Sequence, residues 1–289
     1  MNITNKVHRR RLPFWRTVID AYVVTFNNLG YLARISWAWL LLMVPIAFAF
    51  HALMFWLGWQ PTSASKHGSV VNAVGSGLLR LPMLASIAVA WHRKVLEGEI
   101  WPRSVYLRLD RVVANYLGLV LTTMLLVSAP PAMVFGFDPS IRDRVAPQTF
   151  MVLLLGASIL MGAGIFVATR IWLALPAQAL DRADATVNNA WTVTRGSFWR
   201  LLWGSVLCIF PISALIAALI WAMFGRDGLE GTTLATYAAS ETLNGILGTL
   251  LFAMPTVSFL SLAYRWLVID GADEPQGPNQ ARSRTITEN

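Results

Sequence analysis

The stretch GSGLLRLPMLAS, Gly75 to Ser86, sets a permanent cation, Arg80, among residues typical of a membrane helix. A guanidinium only donates hydrogen bonds and keeps its proton, so at such a depth it demands acceptors. Eleven residues separate Arg80 from Trp91, about 17 Å along a helix, which is too far for the side chain to snorkel to a surface. Holding it there costs at least about 2.5–3.5 kcal/mol, and arginines so placed face a bundle interior or an aqueous cavity. Asn72, Ser76 and Arg80 recur every four residues and give that helix a polar face. No acidic residue is evident at matching depth in another span. The expected acceptors are carbonyls loosened by Pro82, ordered water, or an anion such as a phospholipid phosphate. Three readings stay open: a brace between helices, an anion or lipid-headgroup site, and a helix boundary drawn in the wrong place.

Other chemistry is sparse. His8 and His92 fall in basic segments, His51 and His67 at or near the opposite face, and Cys208 inside an apolar run as a buried thiol. No HExxH, CxxC, phosphate loop or GxSxG occurs, and no acidic pair is spaced to share one buried helix face. The expectation is no catalytic site, no cofactor and no metal. The minority alternative is an outward-facing enzyme built from His51, His67 and acids such as Asp138, Asp143 or Glu241.

The elements that must position these residues follow from composition. Hydrophobic residues make up 56% of the 289 and charged residues 13%, about half the charge of soluble domains. Six stretches are long enough to cross about 30 Å of hydrocarbon: Ile35 to Trp56, Val70 to Trp91, Val112 to Phe135, Phe150 to Leu175, Leu201 to Phe224 and Leu243 to Leu267. The first follows more than thirty residues and is too long for a signal-peptide core, so no cleaved signal is expected. Lys and Arg concentrate on one set of connections, from Arg9–Arg11, Arg16 and Arg34 through Arg93, Arg108, Arg170, Arg195 and Arg200 to Arg265. By the positive-inside rule both termini are cytoplasmic. Each large basic group abuts a span and is interleaved with Trp. The net charge of +8 therefore points to anionic inner-leaflet headgroups rather than nucleic acid.

The chain also repeats itself. GYLARISWAWLLLMVP aligns with GSFWRLLWGSVLCIFP, pairing Gly30 with Gly196, Arg34 with Arg200, Trp37 with Trp203 and Pro45 with Pro211. LPMLASIAVAWHRKVLEG aligns with MPTVSFLSLAYRWLVIDG, pairing Pro82 with Pro255, Trp91 with Tyr264 and Gly98 with Gly271, while Arg80 meets Ala253. The middle pair of spans is a weaker copy, so the fold is expected to be all-α and polytopic. It comprises three hairpins, each preceded by an interfacial amphipathic helix, in units of about 13–99, 100–182 and 184–272. Together they make one membrane domain, 1–270, followed by a polar, disordered cytoplasmic tail, 271–289.

In LPFWRTVIDAYVVTFNNLG the residues Trp15, Val18, Ile19, Tyr22, Val23 and Phe26 share one helical face, with Pro13 in the first turn and Gly30 as the stop. WPRSVYLRLDRV and DATVNNAWTVTRG are the other two interfacial pieces. The intrahelical prolines are read as shaping the bundle, and the pairs Ser158/Gly162 and Gly164/Ala168 as permitting close helix approach. Most Trp residues, Trp91 among them, are expected in an aromatic belt at the inner interface.

The segment LPAQALDRADATVNNAWTVTRGSFWRLLWG resembles the membrane-domain family of glycerophosphodiester phosphodiesterases and its bacterial multi-pass relatives. The resemblance rests on Leu175, Pro176, Asp181, Ala190, Trp191, Thr194, Arg195, Gly196, Phe198 and Trp199. It implies a multi-helix inner-membrane module without an agreed activity. The family's phosphodiesterase domain has no counterpart in the roughly 20 polar residues after Ile269, so the enzymatic label is not carried over. The reading is an integral bacterial inner-membrane protein, non-enzymatic, acting as a lipid-associated or structural envelope module. The alternative is a small transporter or lipid-handling protein with a polar cavity around Arg80.

Overall fold

The computed structural model describes residues 11–57, 66–102, 105–135, 146–182, 186–224, 242 and 249–270. The expectations for His8, Asp138, Asp143, Glu241 and the tail 271–289 lie outside the described residues. Those described are helical and contain no strand: α1 (Phe14–Asn27), α2 (Leu29–Trp56), α3 (Lys66–Glu97), α4 (Arg111–Phe135), α5 (Pro147–Ile171), α6 (Ala174–Ala179), α7 (Val187–Val193), α8 (Phe198–Phe224) and α9 (Thr249–Tyr264). A π-helical turn, Arg265–Ile269, extends α9. Among the described residues five helices, α2 to α5 and α8, are long and apolar enough to cross a membrane, and a shorter apolar helix covers Ala253–Ile269.

Local chemistry sets the boundaries. The Asn28 side chain donates to Val24 O at 2.8 Å and so caps α1, while its own carbonyl accepts from Leu32 N and opens α2. The stop expected at Gly30 therefore falls at Asn28, and Gly30 sits in the first turn of α2. Pro45, Pro82, Pro211 and Pro255 lie inside continuous helices. Pro176 behaves differently. The expected span to Leu175 ends at Ile171, and Pro176 falls in the first turn of α6, where its missing N–H leaves no bond unmade.

Among the described residues, the second interfacial piece forms no helix before α4. Residues 105–109 carry no helix. Tyr106 points inward, 1% exposed, between exposed Val105 and Leu107, a period of two where a helix needs 3.6. Its hydroxyl donates to Ser86 O at 2.9 Å and its ring meets Trp101 edge-on at 5.0 Å. Asp110 pairs with Arg108 and accepts from Val113 N at 3.1 Å, which caps α4.

α1 forms as expected, but its faces divide differently. Thr17, Val18, Ala21 and Thr25 are buried, whereas Trp15, Ile19, Val23 and Phe26 are exposed. The helix packs on α8 and α9 rather than along α2. Arg200 donates to Leu12 O at 2.6 Å, and the Tyr22 hydroxyl reaches Leu207 O at 2.8 Å. The other two pieces also sit on the hairpin before them in the chain, Tyr106 on α3 and Trp191 of α7 on Phe166 of α5.

The core centres on α3 and α9. Trp39, Met83, Ile87, Trp91, Leu201, Met254 and Phe259 are among its largest fully buried side chains. Trp91 thus belongs to the core, not to the aromatic belt expected of it, because its indole N–H finds an acceptor inside the bundle. Of the two small-residue pairs, Gly164 and Ala168 are buried, and a Cβ at Gly164 would collide with the Leu126 carbonyl of α4. Ser158 and Gly162 face outward, and a Cβ at Gly162 would meet nothing.

Candidate functional site

Arg80 lies mid-way along α3, half-buried, with its Nη2 3.4 Å from Nε2 of His51 on α2. Because a guanidinium only donates, His51 Nε2 is the acceptor in this long contact. His51 is fully buried and meets Phe50 edge-on, and the Phe50 ring leaves no room for a Cβ at Gly75. Glycine is therefore what lets α2 and α3 close beside this pair. Ser76 lies half-buried one turn from Arg80, and Asn72 is on α3 a further turn away. His51 is a partner that the search for acceptors did not consider.

The densest polar chemistry lies elsewhere, in a seam joining α1, α3, α4 and α9. Thr25 Oγ1 donates to Ala21 O at 2.8 Å, so the 2.8 Å contact between Thr25 and Ser258 must use the Ser258 proton. Ser258 in turn accepts from Trp91 Nε1 at 2.7 Å. The result is a directed chain from Trp91 through Ser258 and Thr25 to the Ala21 carbonyl. One turn along α9, Ser261 donates to Val257 O at 2.8 Å and accepts from His92 Nδ1 at 2.7 Å. His92 Nε2 then accepts from the Tyr116 hydroxyl at 3.2 Å.

A Ser–His contact raises the question of a catalytic dyad, and the hydrogen-bond directions answer it. His92 donates to Ser261, whereas a general base must accept the serine proton. Both residues are fully buried. The seam is a lock between helices in which each hydrogen-bonding group named is satisfied, as burial requires. His92, read from the sequence as part of a basic segment, has its side chain in the core. The only sequence signal for the seam was Ser258 and Ser261, two hydroxyls three apart in an apolar helix.

At the basic end the arginines are tied to backbone carbonyls. Arg265 donates to Val95 O at 2.6 Å and Leu96 O at 2.9 Å, Arg93 to Ala179 O at 2.8 Å, and Arg34 to Pro102 O at 3.2 Å. Arg170 is held between Phe166 and Trp191, its guanidinium carbon 4.6 Å from each ring centre. Burial pushes the Tyr106 hydroxyl up to about 12. Burial also opposes ionisation of Asp110, but the hydrogen bond and charge of Arg108 and the Val113 N–H outweigh it and hold the carboxyl below its ordinary value.

The signature residues have structural parts in this region. Leu175 and Pro176 are buried in α6, and Asp181 takes a left-handed φ of 53° in the turn that follows. Thr194 is buried and donates to Ala190 O, and Gly196 at φ 95° makes the turn from α7 to α8 that a side chain would strain. Phe198 packs on Phe166, Trp191 holds Arg170, and Arg195 and Trp199 are exposed.

A cavity of about 100 Å³ lies among α6, α7 and the end of α9, and a much smaller one among Tyr31, Arg93, Glu99, Trp101 and Arg108; neither is lined by Arg80. Among the described residues no group of three His, Cys, Asp or Glu could hold a metal. No protein-family model, curated protein or solved structure matches the chain.

Proposed function

We propose that the chain is an integral inner-membrane protein of the bacterial envelope, non-enzymatic, which binds anionic lipid around its basic end and serves as a lipid-associated structural module. One observation carries this reading. Exposed Trp15, Trp37, Trp199 and Trp203 share their helices with Arg16, Arg34 and Arg200, and exposed Trp191 is followed in the next turn of chain by exposed Arg195, beside a core locked by the Trp91 and His92 seam. Amphipathic aromatic rings and cations at one level suit a headgroup region, where each basic residue contributes about 1 kcal/mol of attraction to anionic lipid.

Within this reading the α9 region makes the sixth crossing and both termini are cytoplasmic. The three-unit organisation is supported by the cyclic packing, in which each pre-hairpin segment sits on another unit's hairpin and α1 on the last. The likeness to the phosphodiesterase membrane-domain family agrees with a module of this kind.

The test compares the purified chain in phosphatidylglycerol and phosphatidylcholine nanodiscs. The expected result is a higher unfolding temperature and preferential lipid retention with the anionic lipid, both reduced when Arg16, Arg195 and Arg200 are changed to Gln together. Equal behaviour in the two lipids overturns the proposal.

The Arg80–His51 pair favours a second reading, a small transporter or lipid-handling protein with a polar path through Asn72, Ser76 and Arg80. If charge alone matters there, substrate binding is lost in Arg80→Ala and kept in Arg80→Lys. If a bidentate phosphate contact is made, both variants lose it. Binding unchanged in both removes this reading.

A further inference from the structure

Helix α1 presents three faces. Thr17, Val18, Ala21 and Thr25 are buried on the side packed against α8 and α9. Arg16, Asp20 and Asn27 form a polar face, on which an ion pair at 3.7 Å leaves Phe14–Asn27 with no net charge. The third face is apolar and open: Trp15, Ile19, Val23 and Phe26 are 67%, 59%, 49% and 51% exposed. Their spacing of four, four and three sets them in one stripe along the helix. The ring contacts of this stripe stay within α1, Trp15 with Phe14 and Phe26 with Tyr22.

The bonds that fix α1 also set its depth. Arg200, near the start of α8, holds Leu12 O, and the Tyr22 hydroxyl reaches Leu207 O and Cys208 O, about 11 Å further along that helix. On α9, Thr25 meets Ser258, about 11 Å before Arg265, which grips Val95 O and Leu96 O at the basic end. Two neighbouring helices thus give one depth for the far half of α1, beyond the level of both arginines. There it adjoins exposed Trp203, Val206 and Phe210, which flank Leu207 on α8, a helix apolar enough to cross a membrane. We infer that α1 is a hydrophobic wedge, its open face set among the acyl chains of the leaflet at the basic end, where it takes up loosely packed chains without regard to headgroup charge. Water would wet four large apolar side chains, and a protein partner would need a matched shape; hydrocarbon needs only apolarity, and it already covers the adjoining surface of α8. In a segment with no net charge, attachment scales with apolar area and follows the packing of the lipid. This contact is hydrophobic and so goes beyond the anionic-lipid reading, which rests on the arginine rim.

The experiment places a nitroxide on the full chain at Val23→Cys, Asn27→Cys or Phe210→Cys, with Cys208→Ala removing the native thiol. Each protein is studied in dioleoylphosphatidylcholine vesicles, in the same lipid tightened with cholesterol, and in the same lipid with dioleoylphosphatidylglycerol. Spin relaxation reads collisions with oxygen, which enters hydrocarbon, and with a water-soluble nickel chelate. The oxygen-to-nickel ratio at Val23 is expected to be about fivefold or more above that at Asn27 and to approach that of lipid-facing Phe210. Cholesterol should lower it about twofold relative to Phe210, and phosphatidylglycerol should leave it unchanged. Ile19→Cys repeats the measurement one turn away and separates a local distortion from the behaviour of the face. A Val23 site as open to nickel as Asn27 overturns the inference. Protection of Val23 and Ile19 from both reagents overturns it in favour of a protein cover such as a second copy. A ratio that ignores cholesterol, or follows phosphatidylglycerol instead, overturns it as well. The nanodisc comparison of anionic and zwitterionic lipid is read independently, so none of these results decides the anionic-lipid reading.

Discussion

Helices α3 and α5 are both long enough to cross a bilayer, and they are built on opposite plans. In the most apolar window of α5, the most apolar helix of the five, only 6% of residues are buried inside the protein; in α3, the least apolar, 56% are. In water the order would be reversed, since the hydrophobic effect drives apolar surface inward. Where lipid replaces water that force vanishes between helices, and close packing and hydrogen bonds decide which helix takes the centre. α3 carries Trp91 and His92 into the seam. α5 offers the core little beyond Ala157, Gly164, Ala168, Thr169 and Ile171, and turns Met151, Val152, Leu155, Ile159 and Leu160 outward.

The largest effect that tests this contrast is expected from Trp91→Ala. It removes a fully buried ring and leaves Ser258 without its donor, so it should cost about 3–5 kcal/mol by reversible unfolding in mixed micelles. Ile159→Ala on α5 should cost less than about 0.5 kcal/mol. Comparable losses would mean that α5 is covered by another chain, and the contrast would collapse.

Gly164→Leu comes next. The obstacle is the backbone at Leu126, which cannot rotate away, so about 3 kcal/mol is expected, at the upper end for overpacking. Gly162→Leu, two residues along on the open face, should be close to neutral. If the two behave alike, the register of α4 against α5 is wrong.

Ser261→Ala should cost about 2 kcal/mol, because His92 Nδ1–H is then buried without an acceptor. Ser261→Thr keeps the hydroxyl and should recover part of it. A full-strength Ser261→Ala protein would show that the seam does not hold α3 to α9.

The smallest effect lies outside the spans. Asp110→Ala removes the cap of α4 and should cost about 1 kcal/mol. Because the folded-state value of Asp110 is lowered, its contribution is present above the ordinary carboxylate value and is lost as pH falls through the lowered one. A wild-type stability curve that drops on acidification and an Asp110→Asn curve that drops less would carry that signature. Parallel curves would assign the acid sensitivity to another group.

Much of the fold was legible in the sequence because the signals were local. Five helices long and apolar enough to cross, of the six expected, follow from run length and apolarity, and α1 from its periodicity after Pro13, although its stop falls at Asn28 rather than Gly30. Two of the failures share one cause, the capture of a side chain by an acceptor distant in the chain. Residues 105–109 were read as part of an interfacial helix, yet Tyr106 finds Ser86 O and the segment carries no helix. Trp91 has the profile of a belt residue, yet Ser258 lets it sink into the core. Of the candidate site, Arg80 and its helix face were readable from charge and spacing. His51, twenty-nine residues away, was not, because nothing in its own segment marks which neighbour it meets.

The sequence alone thus determined what each helix is made of and its length, since both depend on composition and on backbone hydrogen bonds that every apolar segment must close within itself. Only the tertiary structure decided which helices stand at the centre and which groups meet there. The Trp91 and His92 seam, the Arg80–His51 contact and the cavity beside α7 all join residues from different helices, and no regularity within one helix encodes its partner.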